Sequence, residues 1–421
     1  MNWTVWAAVA VVIATIYALI KRWETRLVLL TSGLVMALIS LQPMMAFKQF
    51  DKSMTNGSLI IAICSAMGFA AVVSLTKCDA HLVRLLTRPL KKLGLFLLPA
   101  CMAVTSVIAI AIPSTAGLCA SVAPTMVPIL VRAGFRPSLA AASVGSCMLP
   151  AYLNPGVSHN PFIAKLAGIE VIDFIGAHSM MTVSLGLASI VLITLVCVIY
   201  GDYKKEGFGE FQGEATSSLP ETPNFFYAIA PLVPVALLLI FAIWIPSVKI
   251  SVATAMLVGM IYALAVTRSD PQEVTKKFFD GMGKGYANIM GIIIAAGVFA
   301  AGLRACGVVD LFVDFLKNSN EIAKIGGSVG PYILGVLTGS GDAAAFAFNE
   351  AVTPHAESFG LTIDGLGYLA MIAAGLGRIS SPLAGGVILL AGVARVSPVE
   401  IVKRTAPAAF VTLVILYIFT A

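Results

Sequence analysis

The sequence predicts an all-α polytopic membrane protein built from two inverted-topology repeats, each with a re-entrant hairpin and a broken transmembrane helix. Three observations predict this. Of the 421 residues, 59% are hydrophobic and only 11% charged, whereas soluble domains carry roughly 25% charged residues. Clusters of breakers and polar groups interrupt the apolar runs: Thr338-Gly339-Ser340-Gly341-Asp342, Phe348-Asn349-Glu350 and Gly377-Arg378-Ile379-Ser380-Ser381-Pro382. Irregular backbone and charge persist at bilayer depth only where protein or a wet cavity satisfies them. A weaker copy of the same pattern lies in the first half, as Ile112-Pro113-Ser114-Thr115-Ala116-Gly117 and then Leu153-Asn154-Pro155-Gly156.

The first apolar run, 3–20, lacks a basic n-region and a small-residue cleavage site, and Lys21-Arg22 follow it. It reads as a retained span rather than a signal peptide. Further runs long enough for a hydrocarbon core of about 30 Å fall at 26–46, 57–76, 94–112, 138–152, 176–200, 225–245, 250–268, 286–303, 364–378 and 405–420. The segment Asp79 to Lys92 is amphipathic and basic and suits the interface; Val308 to Lys317 is its counterpart. Stretches 94–133 and 326–357 each hold two apolar arms around a Ser/Gly turn, the pattern of a re-entrant hairpin. Asp51 and Asp280 read as loop residues capping the helices that follow. The polar loop Gly201 to Pro223 divides the halves.

The expected organisation is three spans of repeat 1 at 1–76 and its interfacial helix, hairpin, broken span and final span at 77–200. An inter-repeat cytoplasmic loop follows at 201–224. Repeat 2 has its three spans at 225–306 and its interfacial helix, hairpin, broken span and final span at 307–421. About ten spans plus two hairpins result. Matched residues recur at nearly constant offset: Cys78 and Cys306, Ser114 and Ser340, Gly134 and Gly360, Pro155 and Pro382. Five crossings per repeat is odd, so the second repeat starts on the other side, as in many transporters. This topology places nineteen Lys and Arg on one side, seven on the other and Arg378 inside. The richer side is cytoplasmic by the positive-inside rule, which puts both termini in the periplasm. The net charge of +6 is read the same way and gives no reason to expect nucleic acid.

Broken helices leave N-terminal N–H groups unpaired and partly positive, and such ends attract carboxylates. The candidate substrate-binding residues are therefore Ser114, Thr115, Asn154, Pro155, Gly339, Ser340, Gly341, Arg378, Ser380, Ser381 and Pro382. Arg378 either pairs with a substrate carboxylate or with an internal acid, Asp342 or Glu350. Asp342 is a coupling residue or an N-cap. Glu350 is a proton carrier or a solvated group near the mouth. His159 titrates near neutrality or is a satisfied structural histidine. The seven cysteines show no metal spacing, so no cofactor is expected beyond H+ or Na+ as coupling ion.

Gly339-Ser340-Gly341-Asp342 also satisfies the GxGD pattern of intramembrane aspartyl proteases. That chemistry needs a second aspartate on a facing span, and the chain offers no Tyr-Asp pair. A channel is a further alternative, weakened by Asp342 and Arg378 at depth. HExxH and P-loop motifs are absent.

Pro113-Ser114-Thr115-Ala116-Gly117, Leu153-Asn154-Pro155-Gly156, Thr338-Gly339-Ser340-Gly341-Asp342 and Ser380-Ser381-Pro382 give the chain a resemblance to the ion transporter superfamily. Within it the chain is most similar to the DcuC-type C4-dicarboxylate transporters. The resemblance implies a secondary carrier in the bacterial inner membrane, a homodimer in which a hairpin-bearing domain moves as an elevator. It implies succinate, fumarate or malate as substrate; citrate, gluconate, lactate or a short-chain fatty acid is the alternative. The Ser-Asn-Thr signatures of the sodium-coupled dicarboxylate branch are replaced here, so sodium coupling does not carry over.

Overall fold

The computed structural model describes residues 3–21, 23–87, 96–112, 115–204, 220, 222–244, 248, 250–309, 311 and 320–420. Ser114, the end of the first interfacial segment, most of its counterpart and most of the inter-repeat loop lie outside the described residues. Within them the fold is helical, with one isolated antiparallel bridge between Phe135 and Tyr203. Three helices are individually long and apolar enough to cross a membrane: Val171–Tyr200, Pro271–Ala305 and Pro398–Phe419. The pair Pro43–Met54 and Leu59–Leu75, bent by 50°, would make a fourth.

The first half begins with α1 (Trp3–Ile20), α2 (Thr25–Ile39), α3 (Pro43–Met54) and α4 (Gly57–Leu75), followed by α5 (Cys78–Thr87). The run expected at 26–46 is broken: Leu41 turns left-handed at φ 58°, and Pro43, which is tolerated in a first turn, opens a new helix. Next come α6 (Leu97–Ala111), α7 (Thr115–Arg132), α8 (Pro137–Gly145), α9 (His159–Ala167) and α10 (Val171–Tyr200). The run 138–152 does not stay α-helical: α8 stops at Gly145, and a 3₁₀ turn spans Leu149–Leu153.

The second half holds α11 (Phe225–Ile229), α12 (Val233–Trp244), α13 (Val252–Thr267), α14 (Pro271–Gly285) and α15 (Gly291–Ala305). A π-helical stretch at Tyr286–Met290 joins α14 to α15, so the span expected at 286–303 is the end of one long helix. Then follow α16 (Asn320–Thr338), α17 (Gly341–Ala351), α18 (Ile363–Ile379), α19 (Gly385–Ala394) and α20 (Pro398–Phe419). Asp51 and Asp280 lie inside α3 and α14 rather than in loops before a helix. Asp270 does the capping instead, accepting from Gln272 N and Glu273 N.

Boundaries recur between the halves. Helices begin at 25 and 252, 43 and 271, 115 and 341, and 171 and 398, offsets of 226–228. The left-handed residues Leu41 and Arg268, Gly134 and Gly360, and Gly168 and Arg395 follow the same offset. The halves also interlock: α2 packs on α15, and α13 packs on α4. The first crossing is so tight that a Cβ on Gly33 would sit 2.5 Å from the Val298 carbonyl oxygen.

Among the described residues two helix pairs fold back as hairpins and two helices are broken. In the second hairpin, Gly339 at φ 71° joins α16 to α17, a conformation glycine adopts without strain. The arms fold back: the Phe348 ring comes within 3.5 Å of a Cβ built on Gly327, whereas 21 residues of straight helix would separate them by about 30 Å. In the first, α6 ends at Ala111, α7 starts at Thr115, and both arms pack on α5. The breaks lie between α8 and α9, and between α18 and α19.

At one end of this assembly Asp202, fully buried, accepts from Arg136 Nε at 2.6 Å, from Arg404 Nε at 2.5 Å and from Arg404 Nη2 at 3.0 Å. Glu400 accepts from Arg404 Nη1 at 3.1 Å. The cluster ties the α7–α8 connection to the end of α10 and the start of α20.

Candidate functional site

The starts of four helices meet. Thr115 opens α7, and its Cγ2 lies 3.2 Å from a Cβ built on Gly386, the second residue of α19. A Cβ on Gly339, just before α17, would lie 2.9 Å from Ala384 N, just before α19. His159 opens α9, and its Nε2 lies 3.7 Å from Oδ1 of Asp342 in the first turn of α17. Each helix start presents unpaired N–H groups equivalent to about half a positive charge.

Arg378, in the last turn of α18, enters this cluster. Its Nη1 donates to Asp342 Oδ1 at 3.3 Å, with the two side chains 19% and 39% exposed. Its buried Nε has no hydrogen-bond partner. Such an unspent donor beside helix starts suits an anion's oxygen. A small, largely apolar void lies against it, lined by Thr115, Gly145, Met148, Arg378, Ala384 and Gly386 among others. The His159 ring stacks on Phe346 at 4.5 Å and 6°, while Phe162 meets Phe346 edge-on at 5.1 Å.

Several expected residues instead support the site. Ser340 Oγ accepts from Ala343 N at 3.2 Å and caps α17. Asn154 is spent on the fold: Nδ2 donates to the Ile110 carbonyl at 2.6 Å, and Oδ1 accepts from Gly156 N at 2.7 Å. Pro155 lies in the turn that the latter bond closes. Ser380 Oγ donates to the Leu376 carbonyl at 2.9 Å and accepts from Tyr332 OH at 3.3 Å. Ser381 Oγ accepts from Leu383 N at 3.2 Å across Pro382. Gly341 packs with room for no side chain: a Cβ built on it would sit 2.9 Å from the Ala374 carbonyl oxygen.

Glu350 does not join the cluster. It lies eight residues beyond Asp342, about 12 Å along α17, where Gln49 Nε2 donates to its Oε1 at 3.3 Å and Arg304 Nη1 to its backbone carbonyl at 3.4 Å. Two tyrosines escape a reading by motif: Tyr332, which holds Ser380, and Tyr152, set edge-on to His159 at 5.9 Å. Aromatics in so apolar a chain carry no distinguishing signal. Among the described residues no group of three or more His, Cys, Asp or Glu side chains could hold a metal ion.

The family model described as "DcuC: C4-dicarboxylate anaerobic carrier" matches residues 5–421. The chain belongs to the DcuC family. A Haemophilus influenzae transporter is 42% identical over 276 residues, covering 63% of this chain and 99% of the relative. The anaerobic C4-dicarboxylate transporter DcuC of Escherichia coli K12 is 30% identical over 387 residues, covering 86% of this chain and 80% of its own. Two solved transporters share the fold. YdaH of Alcanivorax borkumensis has a TM-score of 0.63 at 13% identity, over 89% of this chain and 86% of that one. MtrF of Neisseria gonorrhoeae has a TM-score of 0.62 at 15% identity, over 89% and 83%. Membership of the DcuC family makes the chain a multi-pass transporter of the bacterial inner membrane and not an enzyme, which removes the aspartyl protease reading.

Proposed function

We propose that the chain is a secondary active carrier of C4-dicarboxylates, succinate, fumarate or malate, working by alternating access. The observation that carries this is the meeting of four helix starts around Arg378, whose Nε is unspent, with Asp342 the carboxylate paired to its Nη1. One substrate carboxylate takes the Arg378 guanidinium from Asp342, and the other takes the helix starts of the opposite half. The displaced Asp342 is neutralised by a proton or a sodium ion, with His159 beside it, and this couples the ion to the substrate. A second organic anion such as citrate or lactate is the alternative cargo.

The recurrence of boundaries at 226–228 residues and the exchanged packing of α2 on α15 and α13 on α4 support two inverted repeats. In this reading α1–α4 and α11–α15 form the scaffold, while the two hairpins, the broken helices, α10 and α20 form the part that moves as an elevator. Both termini face the periplasm.

Counterflow in proteoliposomes tests the proposal. Labelled succinate should accumulate transiently against unlabelled succinate, fumarate or malate inside. Accumulation against internal lactate or citrate but against none of the C4-dicarboxylates would reassign the cargo, and labelled anion that leaks without saturating would mean a channel.

A further inference from the structure

Arg378 Nε is not the only unspent donor at the site. Tyr152 belongs to the 3₁₀ turn Leu149–Leu153, in the break between α8 and α9. It is buried, with 7% of the residue exposed. A buried tyrosine hydroxyl ordinarily finds a partner, yet among the described residues this one makes no hydrogen bond.

A glycine decides where that hydroxyl ends. A Cβ built on Gly375 would lie 2.7 Å from the Tyr152 hydroxyl oxygen, with two ring carbons at 3.6 and 3.7 Å. The phenol therefore ends on the surface of α18 that Gly375 leaves bare. Residues three apart on a helix share a face, and a helical side chain covers the turn N-terminal to its own Cα. Arg378 and the Tyr152 hydroxyl accordingly share the Gly375 face of α18. The charges of Arg378 and Asp342 both act on the Tyr152 oxygen. The residue is also held in place. Its ring stands edge-on to His159 at 5.9 Å and 76°, and its carbonyl accepts from Asn160 Nδ2 at 2.8 Å.

We infer that the Tyr152 hydroxyl is a substrate ligand, donating to the same carboxylate that Arg378 holds, a role that rests on the dicarboxylate reading above. A carboxylate has two oxygens, and a guanidinium N–H and a phenol O–H can take one each. The two donors come from opposite halves of the chain, Tyr152 from the first break and Arg378 from beside the second. A phenol adds no charge, so it strengthens the grip on a carboxylate without altering the charge of the empty site. Because the ring is held before substrate arrives, little freedom is lost on binding.

The test is isothermal titration of the purified full chain with succinate, beside a melting curve for each variant. Tyr152→Phe removes the hydroxyl alone and should weaken succinate binding by about 10- to 100-fold, the range for a hydrogen bond to a charged group, with the melting curve unchanged. Gly375→Ala keeps the hydroxyl but pushes it off the α18 face, and should weaken binding in the same direction. A Tyr152→Phe protein that binds succinate as the wild type does overturns the inference, as does one that melts earlier with its affinity intact, the mark of a packing role. If Tyr152→Phe does not fold, a folded Gly375→Ala protein of wild-type affinity overturns it instead. A wild-type protein that ignores succinate fails the substrate reading and takes this role with it, whereas equal binding by wild type and Tyr152→Phe fails this role alone.

Discussion

If Asp342 occupies Arg378 until substrate arrives, removing its charge should tighten anion binding. At 3.3 Å, two unit charges in a medium of effective dielectric about 20 attract by about 5 kcal/mol. The Asp342 side chain is 39% exposed, so solvent screening reduces the competition to about 1–2 kcal/mol. Asp342→Asn keeps the shape and an acceptor but not the charge. Its affinity for succinate should therefore rise by a factor of about 5–30. The same substitution deprives the carrier of the group that exchanges the coupling ion, so ion-driven uptake should fall while binding improves. Isothermal titration of the purified protein gives the first quantity, and gradient-driven uptake in proteoliposomes the second. A folded Asp342→Asn protein that binds succinate as weakly as the wild type, or more weakly, refutes the displacement argument and returns Asp342 to a purely structural pair.

Arg378→Ala should weaken succinate binding by at least about 30-fold, since truncating a partner of a charge pair costs about 2–5 kcal/mol; titration of a variant with an unchanged melting curve checks it. Gly339→Val places a β-branched residue at φ 71° and a Cβ 2.8 Å from the Leu383 carbonyl carbon. It should cost about 1–3 kcal/mol of local strain and abolish counterflow while circular dichroism stays helical. Asp202→Asn removes the buried carboxylate that Arg136 and Arg404 share, while Arg404 keeps Glu400; it should lower stability by about 1–3 kcal/mol, read as an earlier thermal transition.

The sequence made the hairpins and breaks legible because glycine, proline and serine have no other reason to cluster in a bilayer segment. Arg378 and Asp342 were legible as candidates because charge at depth is costly. What each polar side chain is spent on was not legible. Asn154 looked like a substrate ligand by type and place, yet its amide satisfies the Ile110 carbonyl at the end of α6, a group that the helix break leaves unpaired. Ser380 and Ser381 are likewise held by backbone left open at the second break. Glu350 stood open between a proton carrier and a solvated group; eight residues are two turns of α17, which take it from the tip to the α3 and α15 packing.

The charge at the tips bears on the cargo itself. Four helix starts contribute about two positive charges, and the ends of α6, α16 and α18 at the same tips offset about one and a half of them. Arg378 and Asp342 cancel, so the empty site is close to neutral. The helix dipoles move no net charge across the membrane, because both ends of each travel together. A dianion brings two negative charges, and each cation that travels with it removes one. Succinate exchange, which uses only the loaded form, should therefore ignore an imposed potential when two cations accompany the dianion and respond to it when one does. Net uptake measured beside exchange adds the empty return, which is neutral while Asp342 stays paired with Arg378. Net uptake that responds to potential while exchange does not would contradict a neutral empty site.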